Sequence, residues 1–300
     1  MEGFFYLPEQ VAALQWLQSS FLANLHFFWF FLRHFDTTPG YLVVIGIAVG
    51  LLDRKTVIPY LYGLCFAVLY TNGLKYLFLM PRPAAFDPAL DLLDLGANRG
   101  FPSGAAISSL IIGSVISRHI SGTKGVLLGV SYMLLVSFSR LYLGVHFFTD
   151  ILGGWFFGLI AWRFFLWLTP RLALWRQRMP FRIFIEILLL GLFWVCDQLP
   201  TKYAIVPALI LGIGIGHDIP LAPIPPLTKR YRVPLAIAGT LLLLLISKFY
   251  FTEWMFGLIG FWLTCGIHLF PLARLKEQIA WLKQMRYPQQ RSKDIESLRT

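Results

Sequence analysis

The stretch Ser139 to Asp150, SRLYLGVHFFTD, sets an arginine, a histidine and an aspartate into an otherwise apolar run. In lipid each ionisable side chain costs about 2.5–3.5 kcal/mol at a helix centre, so their presence calls for a function. His146 and Asp150 stand four residues apart. On a helix they share a face, and the carboxylate reaches one imidazole nitrogen while the other is left for chemistry. Such an arrangement fixes the tautomer and stabilises an imidazolium, which suits a ring acting as base or nucleophile. A satisfied polar pair at a helix end is the competing reading of these two residues alone, and two upstream stretches shift the balance.

The first is KYLFLMPRP, in which Lys75 stays on a helix while Pro81 and Pro83 stop that helix and hold Arg82 in a turn. The second is FPSGA, where Ser103 and Gly104 open the next helix. Unpaired N–H groups and the positive dipole end at a helix N-terminus attract anions, and glycine permits close backbone approach. With Arg140 added, two guanidinium groups, an ammonium, a hydroxyl and backbone amides surround one histidine. Arginine offers paired contacts and lysine a point charge, a donor set that fits a tetrahedral oxyanion such as phosphate. A metal site is not indicated, because one histidine without a second histidine or cysteine nearby ligates poorly.

These residues must be positioned by helices in a bilayer. The chain has 300 residues, 57% hydrophobic and only 14% charged, with mean hydropathy +0.66. That composition excludes an ordinary soluble domain and implies an all-α, polytopic transmembrane bundle. Residues 9–35 mix Gln15, Gln18, Ser19, Asn24 and Arg33 with aromatic residues, which predicts an amphipathic helix lying in the interface. Spans are expected at 39–52, 55–80, 103–120, 124–143, 146–168, 181–198, 202–217, 232–251 and 254–272, nine in all. The expected organisation is an N-terminal interfacial segment over 1–38, a catalytic core over 39–170, a transmembrane extension over 171–272 and a basic tail over 273–300.

Net charge is +11, but the basic residues follow topology rather than a nucleic-acid surface. Of 26 Lys and Arg, nineteen fall on one face of the span map and seven on the other. The richer face, with the C-terminus, is expected in the cytoplasm, and His146 faces away from it. Four of the seven, Lys75, Arg82, Arg99 and Arg140, gather around the loops on the face of His146. Cys65, Cys196 and Cys265 lie in apolar segments without paired spacing and read as buried apolar residues. The N-terminus MEGFFYLPEQ has no basic n-region, so no cleavable signal is expected. The glycines of GIGIGHD, near 212–218, read as close helix packing and not as a nucleotide loop.

The three stretches, in this order, resemble the signature of the membrane-bound type 2 phosphatidic acid phosphatase superfamily, which shares its site with vanadium haloperoxidases. The resemblance covers roughly residues 40–165. It implies a lipid phosphate phosphatase of a bacterial inner membrane, with its site on the periplasmic side and no metal or cofactor. It also implies that His146 attacks phosphorus to form a phosphohistidine, Asp150 orients it, and Lys75, Arg82, Ser103, Gly104 and Arg140 hold the phosphate oxygens. The implied partners are a membrane lipid phosphate and the bilayer.

One position departs. The family motif reads PSGH, its histidine protonating the leaving alkoxide, whereas this chain has Ala105. Losing a general acid costs about 10²–10⁴ in rate, so reduced turnover of a lipid phosphate monoester is expected while binding is kept. Three explanations stand: a substitution that traps substrate, favoured by the completeness of the rest of the site; a natural lipid-phosphate binder or transporter; or a lipid diphosphate, whose departing phosphate needs no acid. A phosphotransferase using the same intermediate is the further alternative.

Overall fold

The computed structural model describes residues 8–52, 54–176, 205–218, 229–249 and 254–266. Among these the regular structure is helical, in chain order α1 Pro8–Ser19, α2 His26–Arg33, α3 Thr38–Leu51, α4 Arg54–Phe78, α5 Gly104–His119, α6 Gly122–Tyr142, α7 Phe148–Arg176, α8 Ile205–Asp218, α9 Lys229–Phe249 and α10 Trp254–Phe261. The exceptions are short 3-10 and π turns and one antiparallel bridge, Pro81 to Arg99.

Helices α3 to α7 begin within a few residues of the first five expected spans and, except for α7, which runs on from 168 to Arg176, end within a few residues of them, because proline, glycine and serine punctuation also caps the helices. Thr37 accepts from the Gly40 N–H ahead of α3, and Ser103 caps α5 in the same way through Ala106. Among the described residues, three helices are long and apolar enough to cross a membrane: Thr56–Phe78, Gly122–Tyr142 and Phe148–Leu168. A fourth crossing arises if Phe21–Asp36 and Pro39–Leu51 form one span broken by a 69° bend. The span expected at 181–198 and the basic tail over 273–300 lie outside the described residues.

Two packing groups divide the interior. Helices α3, α4, α8, α9 and α10 bury Leu42, Ile45, Leu61, Ile213, Ile259 and Leu263 together. The second group is built on α5, wedged between α6 and α7, with Ile107, Leu110, Ile111 and Phe165 in one cluster and Ala106, Leu141 and Ile151 in the next. Large side chains left outside, such as Leu127, Leu134, Leu152, Phe156 and Leu159, form the surface expected of helices in lipid.

Close approach of α5 and α6 rests on two glycines. A Cβ at Gly113 would stand 2.4 Å from the Gly129 carbonyl oxygen, and one at Gly129 would stand 2.2 Å from the Gly113 oxygen. In lipid, where apolar burial does not drive helix association, such backbone contact supplies the packing. The N-terminal helix is tied to this group by polar side chains. Gln18 Nε2 donates to the carbonyls of Leu90 and Tyr142 at 2.8 and 2.9 Å, and Gln10 Oε1 accepts from the Thr149 N–H at 3.2 Å. Glutamines that suggested an interfacial face in the sequence thus reach inward to backbone groups.

Substituting Gly129→Val places methyl groups where the α5 backbone now runs, and overpacking of this kind costs about 1–3 kcal/mol. The variant is expected to lower the midpoint of thermal unfolding in detergent. An unchanged midpoint would show that the two backbones are not in contact.

Candidate active site

Lys75 sits in the last turn of α4, before the chain leaves the helix. Residues 80–82 and 98–100 are then zipped together, the Arg82 N–H donating to the Asn98 oxygen at 3.0 Å and the Gly100 N–H to the Met80 oxygen at 2.7 Å. This clasp, with the 3-10 turn Pro83–Ala85 behind it, fixes the backbone of Arg82 as the flanking prolines suggested. Ser103 is fully buried at the head of α5, its hydroxyl oxygen accepting the Ala106 N–H at 3.4 Å. Its own N–H donates to the Asp150 carbonyl at 3.0 Å, which joins the start of α5, with Gly104 as its first residue, to α7.

Ser139 and Arg140 occupy the last turn of α6, and Gly144 reverses the chain with φ +67°. No side chain fits there, since a Cβ would lie 1.9 Å from the Leu90 oxygen. The reversal changes how His146 and Asp150 meet. A shared helical face is not what joins them, because His146 stands two residues ahead of α7 and Asp150 lies in its first turn. The Asp150 carboxylate folds back instead, with Oδ2 accepting from the Phe147 N–H at 2.9 Å and lying 3.2 Å from His146 Nδ1. With Nδ1 donating to that carboxylate, Nε2 is left unprotonated.

Arg140 is 3% exposed, as are His146 and Asp150. Its Nη1 pairs with Asp36 Oδ2 at 3.2 Å. Its Nη2, together with Nε and Nη1 of Arg82, is buried without a hydrogen-bond partner. Buried guanidinium nitrogens left in that state are expensive, which marks a place that accepts an anion. Burial, then the charges of Arg82, Lys75 and Arg140, hold the His146 imidazole well below its ordinary range, so the ring is neutral at physiological pH.

The structure therefore brings Lys75, Arg82 and Arg140 within electrostatic reach of His146, with Asp150 against its ring and Ser103, next to Gly104 at the head of α5, bonded through its backbone to Asp150. Ala105 lies beside them, 2% exposed, and offers only a methyl group. Arg99 does not join the cup; its guanidinium lies 4.0 Å above the Tyr76 ring. Asp87 and Asp91 accept backbone N–H groups of their own loop at Ala89, Leu93 and Gly96. His119 is at the opposite end of α5, its Nε2 3.0 Å from the Tyr60 hydroxyl. Asp36 is the residue that reading the sequence missed. It falls between the segments 9–35 and 39–52, and its signal was a lone carboxylate amid aromatic residues.

Comparison with known proteins finds the following similarities. Residues 56–174 match the family model of the PAP2 superfamily. Over 115 residues the chain is 30% identical to an undecaprenyl-diphosphatase of Sulfolobus acidocaldarius, a match covering 38% of this chain and 54% of that protein. The chain thus spans about half the length of this curated relative. The crystal structure of Aquifex aeolicus LpxE aligns with a TM-score of 0.48 and 23% identity, over 55% of this chain and 99% of that one. All three sequence motifs, from Lys75 to Asp150, lie inside the stretch that matches the PAP2 superfamily.

Proposed function

We propose that this chain hydrolyses the phosphate head group of a membrane lipid through a phosphohistidine on His146. The observation that carries the reading is the set of orphaned guanidinium nitrogens of Arg82 and Arg140 around a neutral imidazole. Phosphoryl transfer asks for positioning and charge stabilisation, and this donor set supplies both. Nε2 attacks phosphorus in line with the departing oxygen. Arg82, Arg140, Lys75 and the Ser103 hydroxyl hold the equatorial oxygens. Asp150 keeps the proton on Nδ1 and offsets the charge that the ring gains. Water then cleaves the phosphorus–nitrogen bond.

A lipid is favoured by an apolar groove of about 500 Å³ lined by Phe78, Phe101, Leu152, Phe156 and Phe157, with Thr149 and Gly153, which flank Asp150 along α7. Apart from Phe101, its lining belongs to α4 and α7, helices read as crossing the bilayer, so a prenyl or acyl tail lies there without leaving the membrane. The distribution of basic residues supports a cup on the periplasmic side of a bacterial inner membrane, with the tail after residue 272 in the cytoplasm. Ala105 supports a second reading within the same chemistry, a lipid diphosphate whose leaving phosphate needs no proton donor. The name of the Sulfolobus relative points the same way.

Replacing His146 with Ala should reduce phosphate release from a lipid phosphate in detergent to background, and rapid quenching of the unsubstituted chain with labelled substrate should trap an acid-labile phosphohistidine. Full activity in His146→Ala would refute the reading. The ring is also expected to remain neutral at pH 6.5, where an ordinary imidazole is about half protonated, as read from its nitrogen chemical shifts. Because the folded state declines a proton that the unfolded chain accepts, this residue's contribution to stability is present above about pH 6.5 and is lost on acidification below it. A ring that titrates at the ordinary value would show that the cations are not grouped around it.

A further inference from the structure

A guanidinium group is a planar fork, so fixing two of its three nitrogens fixes the direction of the third. Arg140 is held in this way. Its Nε donates to the Ser139 hydroxyl at 3.4 Å, and that hydroxyl is itself anchored on α6, donating to the Val136 carbonyl at 2.7 Å. Its Nη1 pairs with Asp36 Oδ2 at 3.2 Å. Nη2 is left buried and without a hydrogen-bond partner. The Ser139 contact is at the long end for a hydrogen bond, so the charge-assisted pair with Asp36 is the stronger hold. Arg82 is fixed differently: its Nε and Nη1 are both unpaired, and the clasp around it acts on its backbone.

The Asp36 carboxylate is braced in turn. The hydroxyl of Tyr41 donates to its Oδ1 and also hydrogen-bonds the Ser108 side chain of α5. Phe35, beside Asp36 in the 3-10 turn His34–Asp36, packs edge-on against Tyr132 of α6, with ring centres 5.9 Å apart. Both carboxylate oxygens are therefore occupied, and the turn that carries them is tied to the helix of Ser103 and to the helix of Arg140. None of this comes from the stretch matched to the family, since Asp36 and Tyr41 precede residue 56. The carboxylate also has a cost. Its negative charge is felt at Lys75 and Arg82 and opposes the attraction of the cup for an anion. What it gives in return is orientation, because a donor set in place before the reaction needs no rearrangement as charge develops.

We infer that Asp36 and Tyr41 are positioning residues of the phosphoryl-transfer site, which fix the plane of the Arg140 guanidinium so that Nη2 is the nitrogen left for a phosphate oxygen. The inference rests on the phosphatase reading above and deepens it. Arg140 then holds the phosphate through one nitrogen, whereas Arg82 has two to offer.

The test is a double-mutant cycle on the full chain in detergent, comparing the unsubstituted protein with Asp36→Asn, Arg140→Gln and both together, on a long-chain phosphatidate and on a polyprenyl diphosphate. Arg140→Gln is expected to lose about 10²–10³ in kcat, as for removal of a preorganised donor. Asp36→Asn is expected to lose about 10- to 100-fold in kcat, the scale on which outer groups that orient a functional ligand act, with KM unchanged or lower. The double variant should lose no more than Arg140→Gln alone, since Asp36 acts through Arg140. Charge alone predicts the opposite sign, because removing a negative group strengthens the hold on an anion. Tyr41→Phe, which keeps the carboxylate, runs the same cycle with a smaller loss if Asp36→Asn does not fold. An unchanged or raised kcat in Asp36→Asn, or an equal loss with and without Arg140, would overturn the inference and leave the phosphatase standing. An unsubstituted chain that releases phosphate from neither lipid removes the phosphatase reading, and this inference with it.

Discussion

Mutual repulsion among Lys75, Arg82 and Arg140 is the constraint that the rest of the fold must satisfy. Arg82 and Arg140 each have guanidinium nitrogens that are buried and unpaired, around a ring that burial and these charges keep neutral. Such a cluster is held together only if the backbones carrying it cannot drift apart. The carriers are three separate segments: the end of α4 with the clasp after it, the head of α5, and the reversal between α6 and α7. Each is fixed by backbone hydrogen bonds or direct backbone contact, from the Arg82 to Asn98 bond to the Ser103 to Asp150 bond. Rigidity here is the means by which charge is stored for an incoming anion.

Helix packing transmits that rigidity. The α5–α6 approach at Gly113 and Gly129 lies in the membrane interior, away from the head of α5, and it sets the relative height of Ser103 and Arg140 at the other end. The polar end is finished by the N-terminal helix, whose Gln18 donates to the carbonyls of Leu90 in the loop and Tyr142 at the reversal, and whose Gln10 accepts from the Thr149 N–H. The apolar and polar halves of the bundle are thus stabilised differently, the first by close backbone contact and the second by side chains that complete hydrogen bonds.

Much of the site was legible because its residues are chemically out of place. An arginine, a histidine and an aspartate in SRLYLGVHFFTD, and a lysine and an arginine beside prolines, stand out against lipid-facing sequence, and their types specify an oxyanion. The five helices from α3 to α7 were legible from apolar length and punctuation, and three of them, α4, α6 and α7, contain segments long and apolar enough to cross a membrane. The way His146 meets Asp150 was not, because a spacing of four implies a common helical face, whereas Gly144 turns the chain before α7 begins. Arg99 seemed part of the anion site by proximity in sequence, yet an adjacent tyrosine ring takes its charge. Asp36 escaped because its partners, Arg140 and Arg82, are remote in the chain, and no periodicity relates a turn to a cup built by other helices.

The inward-reaching glutamines carry a consequence for where the working unit begins. The match to the family model covers residues 56–174, yet Gln10 and Gln18 complete backbone groups of that stretch and Asp36 enters its charge cluster from outside. The homologous segment is consequently not a transplantable module. A chimera cut at the homology boundary would inherit every signature motif while leaving main-chain polar groups exposed and one arginine without its counter-ion.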